Sequence, residues 1–126
     1  IYTLTLQNGT PMLYISPTAT LRPRRKYDLN DGNWHHIAVS MPRKSCTLSE
    51  VIIYVDGEAI NTIADKYDGN IFFTTSGRLS IGGFGYSHES YEENFPHLSP
   101  FNGMLDELYV WGRALKDDDM KLLMGI

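Results

Sequence analysis

The sequence contains a single cysteine, Cys46, so no disulfide can form within the chain. Cys46 lies in the polar stretch Pro42–Thr47, which predicts an accessible loop position. Two alternatives remain for its thiol: it is free, or it pairs with a cysteine of another chain or segment. An odd cysteine in a secreted protein suggests the second.

Long apolar runs are also missing. None approaches the roughly 20 residues that a membrane-spanning helix needs, so no membrane span is expected. The net charge of −4 predicts no general attraction to nucleic acid. Hydrophobic residues make up 42% and charged residues 21% of the 126 residues, which indicates one folded domain rather than a disordered chain.

Catalytic motifs are absent as well. The sequence has no Gly-x-Ser-x-Gly, no phosphate-binding loop, no His-Glu-x-x-His and no Cys-x-x-Cys. Cleavage of a glycosidic bond needs two carboxylates that flank the bond. Asp106 and Glu107 are adjacent on a predicted strand, and adjacent strand residues point to opposite faces. We therefore expect a protein that is not an enzyme.

Strand signals begin at the amino end of the chain. Tyr2–Gln7 alternates apolar and polar residues, which predicts a half-buried strand. Asn8 and Gly9 are typical of a tight turn, and Met12–Ile15 then predicts a second strand. The first two strands should therefore form a hairpin.

A second hairpin is predicted around Asp56 and Gly57, because an Asp-Gly pair after a β-branched run is a strong turn signal. Val51–Val55 should pair with Ala59–Ile63 across this turn and with Trp34–Met41 on its other side. Alternation in Trp34–Met41 predicts a core face made of Ile37, Val39 and Met41. His35 and His36 then point to opposite faces and are poor joint metal ligands. His36 should be packed and hydrogen-bonded, and Trp34 should be buried.

The carboxyl end predicts a last strand, Asn102–Arg113, and a short helix over Lys116–Met124. Leu115, Leu122 and Leu123 should cap the end of the core. Alternation places Asp106 on the core face, where a charge is costly unless it is compensated. Three compensations are open: a Ca²⁺ ion, a salt bridge to Arg113, or hydrogen bonds from backbone amides.

Four ordered blocks, Asp31–Val39, Tyr54–Glu58, Ser80–Gly83 and Phe101–Leu115, resemble the laminin-G-like, concanavalin-like group that includes pentraxin-type domains. The resemblance implies an all-β, antiparallel jelly-roll β-sandwich with the short carboxyl-terminal helix added. It also implies a non-catalytic module of a secreted or cell-surface protein, and Ca²⁺ as a possible cofactor with Asp106 as a ligand. It further implies strands before Tyr2, so residues 1–126 should be a single laminin-G-like domain that lacks its amino-terminal strands.

Three candidate sites follow from local sequence. A basic run contains the charged residues Arg22, Arg24, Arg25 and Lys26. Pro23 within it should prevent a central strand. The run could bind sulfated glycan or phosphate, or it could be a solvated loop. The long irregular stretch Tyr86–Pro100 is typical of a binding loop, and its candidate residues are Tyr86, His88, Tyr91, Glu92 and Glu93. Asn8 begins an N-glycosylation pattern.

Two kinds of function are expected from these observations. The first is an extracellular recognition or adhesion module of a larger protein, which binds glycan or protein through loops at one end of the sandwich. The second is a structural assembly module that another segment or subunit completes. A third role, as an ancillary domain of a secreted enzyme, also remains open.

Overall fold

The computed structural model describes residues 2–15, 19–42, 46–65, 70–71, 81–82 and 100–125. Of these, residues 2–71 and 111–125 belong to one compact unit, and residues 81–82 and 100–110 belong to a second. In the described part, no helix is long and apolar enough to cross a membrane.

The described chain consists mostly of short strands, and every pairing is antiparallel. A 3₁₀ turn spans Leu48–Glu50 and one helix, α1, spans Asp117–Leu123. The strands are β1 (Tyr2–Gln7), β2 (Thr10–Ile15), β3 (Ala19–Pro23), β4 (Ile37–Ser40), β5 (Cys46–Thr47), β6 (Ile52–Val55), β7 (Glu58–Ala59), β8 (Thr62–Asp65) and β9 (Asn70–Ile71). The predicted fold, an antiparallel jelly-roll β-sandwich with a short carboxyl-terminal helix, is confirmed.

The first sheet has the strand order β1-β2-β3-β8. Its amino-terminal hairpin is confirmed, with Tyr2 opposite Ile15 and Gln7 opposite Thr10. The basic run is not only a loop as expected, because Arg22 and Pro23 end β3 inside this sheet. Pro23 is tolerated there as the last residue of the strand, where the ladder ends.

The second sheet has the strand order β4-β6-β7. The predicted pairing of β4 with β6 is confirmed, with Ile37 opposite Val55. The predicted partner Ala59–Ile63 is only partly right, because β7 ends at Ala59. The chain then crosses to the first sheet, where β8 pairs with β3. This crossing connects the two sheets of the sandwich.

The main core lies between the sheets. Alternation turns Leu13 and Leu21 of the first sheet inward, and Ile53 of the second sheet meets them; Leu21 and Ile53 are 0% exposed. The predicted core face of β4 and its flank is confirmed for Val39 and Met41, which pack against this cluster. Burial of such side chains is the main stabilising term of the fold.

A smaller cluster covers the other face of the second sheet. Tyr54, Leu115 and Met120 are buried together, with Ala38 against them. The Ser40 hydroxyl donates to the Leu115 carbonyl oxygen at 2.8 Å, and the Tyr54 hydroxyl donates to Asp117 at 2.8 Å. The predicted capping role holds for Leu115 only. Leu122 and Leu123 are exposed, because α1 is a short helix that turns Met120 to the sheet instead.

The position predicted for Cys46 is wrong. Cys46 is 2% exposed, forms part of β5 and belongs to the main core with Leu48 and Val51. Its thiol is free, and burial raises the pKa of that thiol. Cysteine is small and apolar enough to fill a core position, and its polar sequence neighbours hide that role.

The predicted last strand, Asn102–Arg113, is also wrong. The structure assigns no strand to these residues, and all of them are exposed. Glu107 has a φ of 52°, which an extended strand cannot accommodate. Asp106 is therefore not on a core face. Its carboxylate accepts a hydrogen bond from the backbone N–H of Glu107 at 2.8 Å, and Arg113 pairs with Asp119 rather than with Asp106.

Candidate ligand-binding groove

An open groove of about 510 Å³ lies against the first sheet. The amino-terminal hairpin contributes Gln7, Asn8, Thr10 and Met12 to its lining, and the end of β3 with the chain after it contributes residues 22–28. Leu13 and Leu21 point into the core, so their neighbours Met12 and Arg22 point to the opposite face of the sheet. The groove therefore lies on the outer face of the sandwich.

The groove lining includes four cationic side chains and one carboxylate, that of Asp28. The structure thus brings together all four residues of the predicted basic patch. Arg22 is half-buried and forms an ion pair with Asp65 of β8. Arg24, Arg25 and Lys26 are exposed. The guanidinium carbon of Arg25 lies 3.8 Å from the centre of the Tyr27 ring, a cation–π contact.

Hydrogen bonds fix the basic segment to the first hairpin. The Thr10 hydroxyl donates to the Tyr27 carbonyl oxygen at 2.9 Å and accepts from the Tyr27 N–H at 3.1 Å. The Leu29 N–H donates to the Gly9 carbonyl oxygen at 3.0 Å, and the Arg24 N–H donates to that of Asn61 at 2.9 Å. The groove is therefore held in place by backbone contacts along both of its borders.

Gly9 is required for this contact. Its φ is +80°, and a Cβ atom there would lie 3.0 Å from the Leu29 nitrogen and 3.1 Å from the Asp28 Cα. A side chain would thus strain the turn and press on the backbone of the basic segment. The sequence indicates the turn, but it does not indicate that residues 28 and 29 pack against it.

A second polar cluster surrounds His35. Its Nδ1 lies 2.8 Å from an Asp56 carboxylate oxygen, and its Nε2 lies 2.9 Å from an Asp31 carboxylate oxygen. The hydrogen bond that the His35 ring makes to the Asp56 carboxylate, and next the one that it makes to Asp31, raise the pKa of His35. The hydrogen bond from the Asn33 N–H, and next the hydrogen bond from the His35 ring, lower the pKa of Asp31 to about 2. This cluster was not predicted, because Asp56 was interpreted as a turn residue and no role was predicted for Asp31.

Trp34 is 64% exposed, so its predicted burial is wrong. β4 begins at Ile37, and residues 31–36 form a loop that Asp56 holds through the His36 N–H at 2.9 Å. The Trp34 side chain therefore lies outside the strand and outside the core. His36 is half-buried, but its Nδ1 atom has no hydrogen-bond partner within the described residues, so the prediction for His36 holds only for its packing.

The other predicted sites gain less from the structure. Tyr86, His88, Tyr91, Glu92 and Glu93 lie outside the described residues. Asn8 is exposed in its turn, with a φ of 51°, and its glycosylation stays a prediction. Among described residues, no group of three or more His, Cys, Asp or Glu side chains could hold a metal ion. Ca²⁺ at Asp106 stays a prediction, although the expected core-face carboxylate that motivated it is exposed.

Comparison with known proteins decides the family. A family model described as the concanavalin A-like lectin/glucanases superfamily matches residues 2–121. The chain belongs to this superfamily. The resemblance seen in the sequence is therefore confirmed. The comparison with curated proteins finds no match.

This chain has the same fold as a solved structure, that of an S-layer domain-containing protein from Clostridium thermocellum ATCC 27405. The two chains are 17% identical, and the TM-score is 0.50. The alignment covers 94% of this chain but only 58% of the bacterial structure. At that identity the similarity concerns the fold alone.

Proposed function

We propose that this chain is a non-catalytic recognition module of a secreted or cell-surface protein, and that it binds glycan or protein through the groove beside the first hairpin. The observation that carries this proposal is the groove itself. It is open, it lies on the outer face of a sheet, and backbone hydrogen bonds hold its basic border in place. Pockets with a few fixed polar groups are common places for ligands to bind.

The composition of the groove supports a binding role without catalysis. Asp28 is the one carboxylate in its lining. Glycoside hydrolysis by the usual route needs two carboxylates on either side of the scissile bond. The superfamily description covers both lectins and glucanases, so membership alone favours neither.

One observation supports an extracellular location: Asn8, Gly9 and Thr10 form an N-glycosylation pattern, and Asn8 is exposed. Partners would then be an extracellular glycan or protein, together with other domains of the parent protein.

Filling the groove tests the proposal without changing any charge. Met12 lines the groove, so Met12→Trp should obstruct it. Leu122 is 76% exposed on α1, so Leu122→Trp is a control that adds an aromatic ring elsewhere. Binding is measured on immobilised neutral and acidic polysaccharides and on extracellular glycoproteins. We expect the wild type and the Leu122 variant to bind at least one of them, and the Met12 variant to bind about tenfold more weakly, a loss of about 1.4 kcal/mol.

Two results would contradict the proposal. Equal binding by the Met12 variant and the wild type would place the ligand elsewhere. Release of new reducing ends from a bound polysaccharide would show that the chain is an enzyme. The same assays apply to an ancillary role beside a catalytic domain, because that role uses the same binding surface.

One observation favours the alternative, a structural assembly module. β1 is an edge strand whose outer side has no pairing strand among the described residues. It is six residues long, and Leu4 on it is 46% exposed. Exposed edges of this kind pair readily with another strand. Leu4→Lys should then abolish self-association in sedimentation equilibrium, whereas Leu122→Lys should not; a monomeric wild type would reject this alternative.

A further inference from the structure

We propose that the groove recognises an acidic polysaccharide, a sugar polymer that carries carboxylate or sulfate groups at intervals along its chain. The inference rests on the proposed function and names the class of ligand. It starts from the distribution of charge: the whole chain has a net charge of −4, but the groove lining has four cations and one carboxylate. The positive charge is thus concentrated where a ligand would bind.

The four cations are not equally available. Arg22 is already paired with Asp65. Arg24 and Lys26 are exposed, and within the described part of the chain neither forms an ion pair. Arg25 stacks on Tyr27, and a stacked guanidinium keeps the N–H groups at its edge for a carboxylate or sulfate. Arg24, Arg25 and Lys26 are therefore the charges that a ligand would meet.

The backbone that carries the cations is also held in place before a ligand arrives. Thr10 bonds to both backbone groups of Tyr27, and the Arg24 N–H bonds to Asn61. A binding surface that is already ordered loses less entropy when the ligand binds. A freely moving basic tail, by contrast, would bind polyanions with little preference for their structure.

The remaining lining suits sugar rather than nucleic acid. Gln7 and Asn8 are exposed amides at the hairpin border, and amides exchange hydrogen bonds with sugar hydroxyl groups. Duplex DNA carries about one negative charge per 1.7 Å along a stiff helix, whereas a polysaccharide with one acidic group per sugar has wider charge spacing. The wider spacing suits a short segment whose exposed cations are Arg24, Arg25 and Lys26.

The experiment compares a neutral polysaccharide, its sulfated derivative, a carboxylated polysaccharide and a nucleic acid. The probes are dextran, dextran sulfate, polygalacturonate and duplex DNA, each titrated into the protein by calorimetry. One variant, Arg24→Gln with Lys26→Gln, removes two cations from the groove. The matched control, Lys116→Gln with Lys121→Gln, removes the same charge from exposed positions at and within α1.

We expect dextran sulfate or polygalacturonate to bind the wild type and the control variant, and the groove variant to lose about tenfold or more in affinity. Raising NaCl from about 50 to about 200 mM should lower the affinity of the wild type for these polymers by a similar factor, because binding releases counterions. The sulfated and the carboxylated polymer together show which anionic group the groove prefers.

Four results would overturn the inference. Equal losses in the two double variants would mean that the overall charge, not the groove, attracts the polymer. Binding of duplex DNA with higher affinity than either acidic polysaccharide would assign the groove to nucleic acid. Salt-independent binding of a neutral polysaccharide that Met12→Trp abolishes would keep the proposed function and reject the acidic ligand. Absence of all binding, to these probes and to the glycoproteins tested above, would reject both.

Discussion

Two tight turns of the molecule have nearly the same backbone and different surroundings. Asn8 and Gly9 join β1 to β2 with φ values of 51° and 80°, and Asp56 and Gly57 join β6 to β7 with φ values of 51° and 85°. Both pairs therefore adopt the positive φ values that a two-residue hairpin turn requires. One turn connects strands of the first sheet, and the other connects strands of the second.

The contacts of the two turns explain their different roles. The first turn uses its glycine, because Gly9 lies against the backbone of residues 28 and 29 and so holds the basic segment of the groove. The second turn uses its carboxylate, because Asp56 binds the His35 ring and the His36 N–H. A turn signal in a sequence thus predicts the backbone conformation, whereas the role of the turn depends on a segment 20 or so residues away.

The largest effect is expected from Gly9→Ala. A residue with a Cβ costs about 1–2 kcal/mol at this φ, and the close contact with residues 28 and 29 adds about 1–3 kcal/mol. Gly32→Ala is a matched control, because Gly32 has a φ of +83° but no atom within 4 Å of the added Cβ. Urea unfolding should therefore give a loss of about 2–5 kcal/mol for the first variant and of about 1–2 kcal/mol for the second.

If Gly9→Ala and Gly32→Ala lower the free energy of unfolding equally, Gly9 is needed only for its φ and not for its contact with residues 28 and 29. The Gly9 variant should also bind acidic polysaccharide less tightly than the Gly32 variant, because the basic segment loses its support.

The second-largest effect is expected in the turn between β6 and β7. Asp56→Asn keeps a residue that tolerates a positive φ, but it replaces the carboxylate that accepts hydrogen bonds from the His35 ring and the His36 N–H. Hydrogen bonds to a charged group contribute about 1.5–3 kcal/mol when intact, so we expect a loss of about 1–2 kcal/mol in urea unfolding. Asp118→Asn, an exposed position on α1, should change stability by less than about 0.5 kcal/mol. If both variants lose the same free energy of unfolding, the hydrogen bonds of Asp56 do not stabilise the fold.

A smaller effect should depend on pH. The folded pKa of His35 is raised by Asp56 and Asp31, so the protonated ring stabilises the fold. That contribution is complete below the unfolded pKa of about 6.5 and is lost as the pH rises through the higher folded value. The difference in urea midpoint between wild type and His35→Gln should therefore be larger at about pH 5.5 than at about pH 8.5. His36 and the other histidines are present in both proteins, so a difference that does not change with pH would exclude this origin.

Much of the fold could be predicted from the sequence, because the relevant signals are local. Alternation in Trp34–Met41 correctly placed Val39 and Met41 on the core face, the pairing of the first hairpin was predicted, and both glycine turns were recognised. The errors arose where a residue departs from the regular pattern of its neighbours. Glu107 has a positive φ in a stretch that reads as a strand, and Cys46 is buried although its sequence neighbours are polar.

The candidate site was predictable in part for the same reason. The density of positive charge in residues 22–26 is visible in the sequence, and it predicted either an anion-binding segment or a solvated loop. The groove itself could not be predicted, because Thr10 and Gly9 act on Tyr27 and Leu29, 17 or more residues later. Exposure of Trp34 escaped prediction similarly, since Asp56 holds the loop that carries it.

The smallest change in stability, with a measurable change in binding, is expected from Asn8→Asp. Aspartate at the first turn position adopts a φ of 51° in the second hairpin, so the first hairpin should accept it with a stability change under about 0.5 kcal/mol. The new carboxylate would join the groove lining. Repulsion between exposed charges is modest and screened by salt, so affinity for polygalacturonate should fall about two- to fivefold at low salt and less at about 150 mM salt.

Asn8→Gly is the uncharged control, since glycine also accepts the turn geometry, and both variants remove the N-glycosylation pattern. Calorimetry on protein produced without glycosylation then isolates the charge. Equal affinity of the two variants would show that the ligand does not reach the hairpin border of the groove and would confine recognition to Arg24, Arg25 and Lys26.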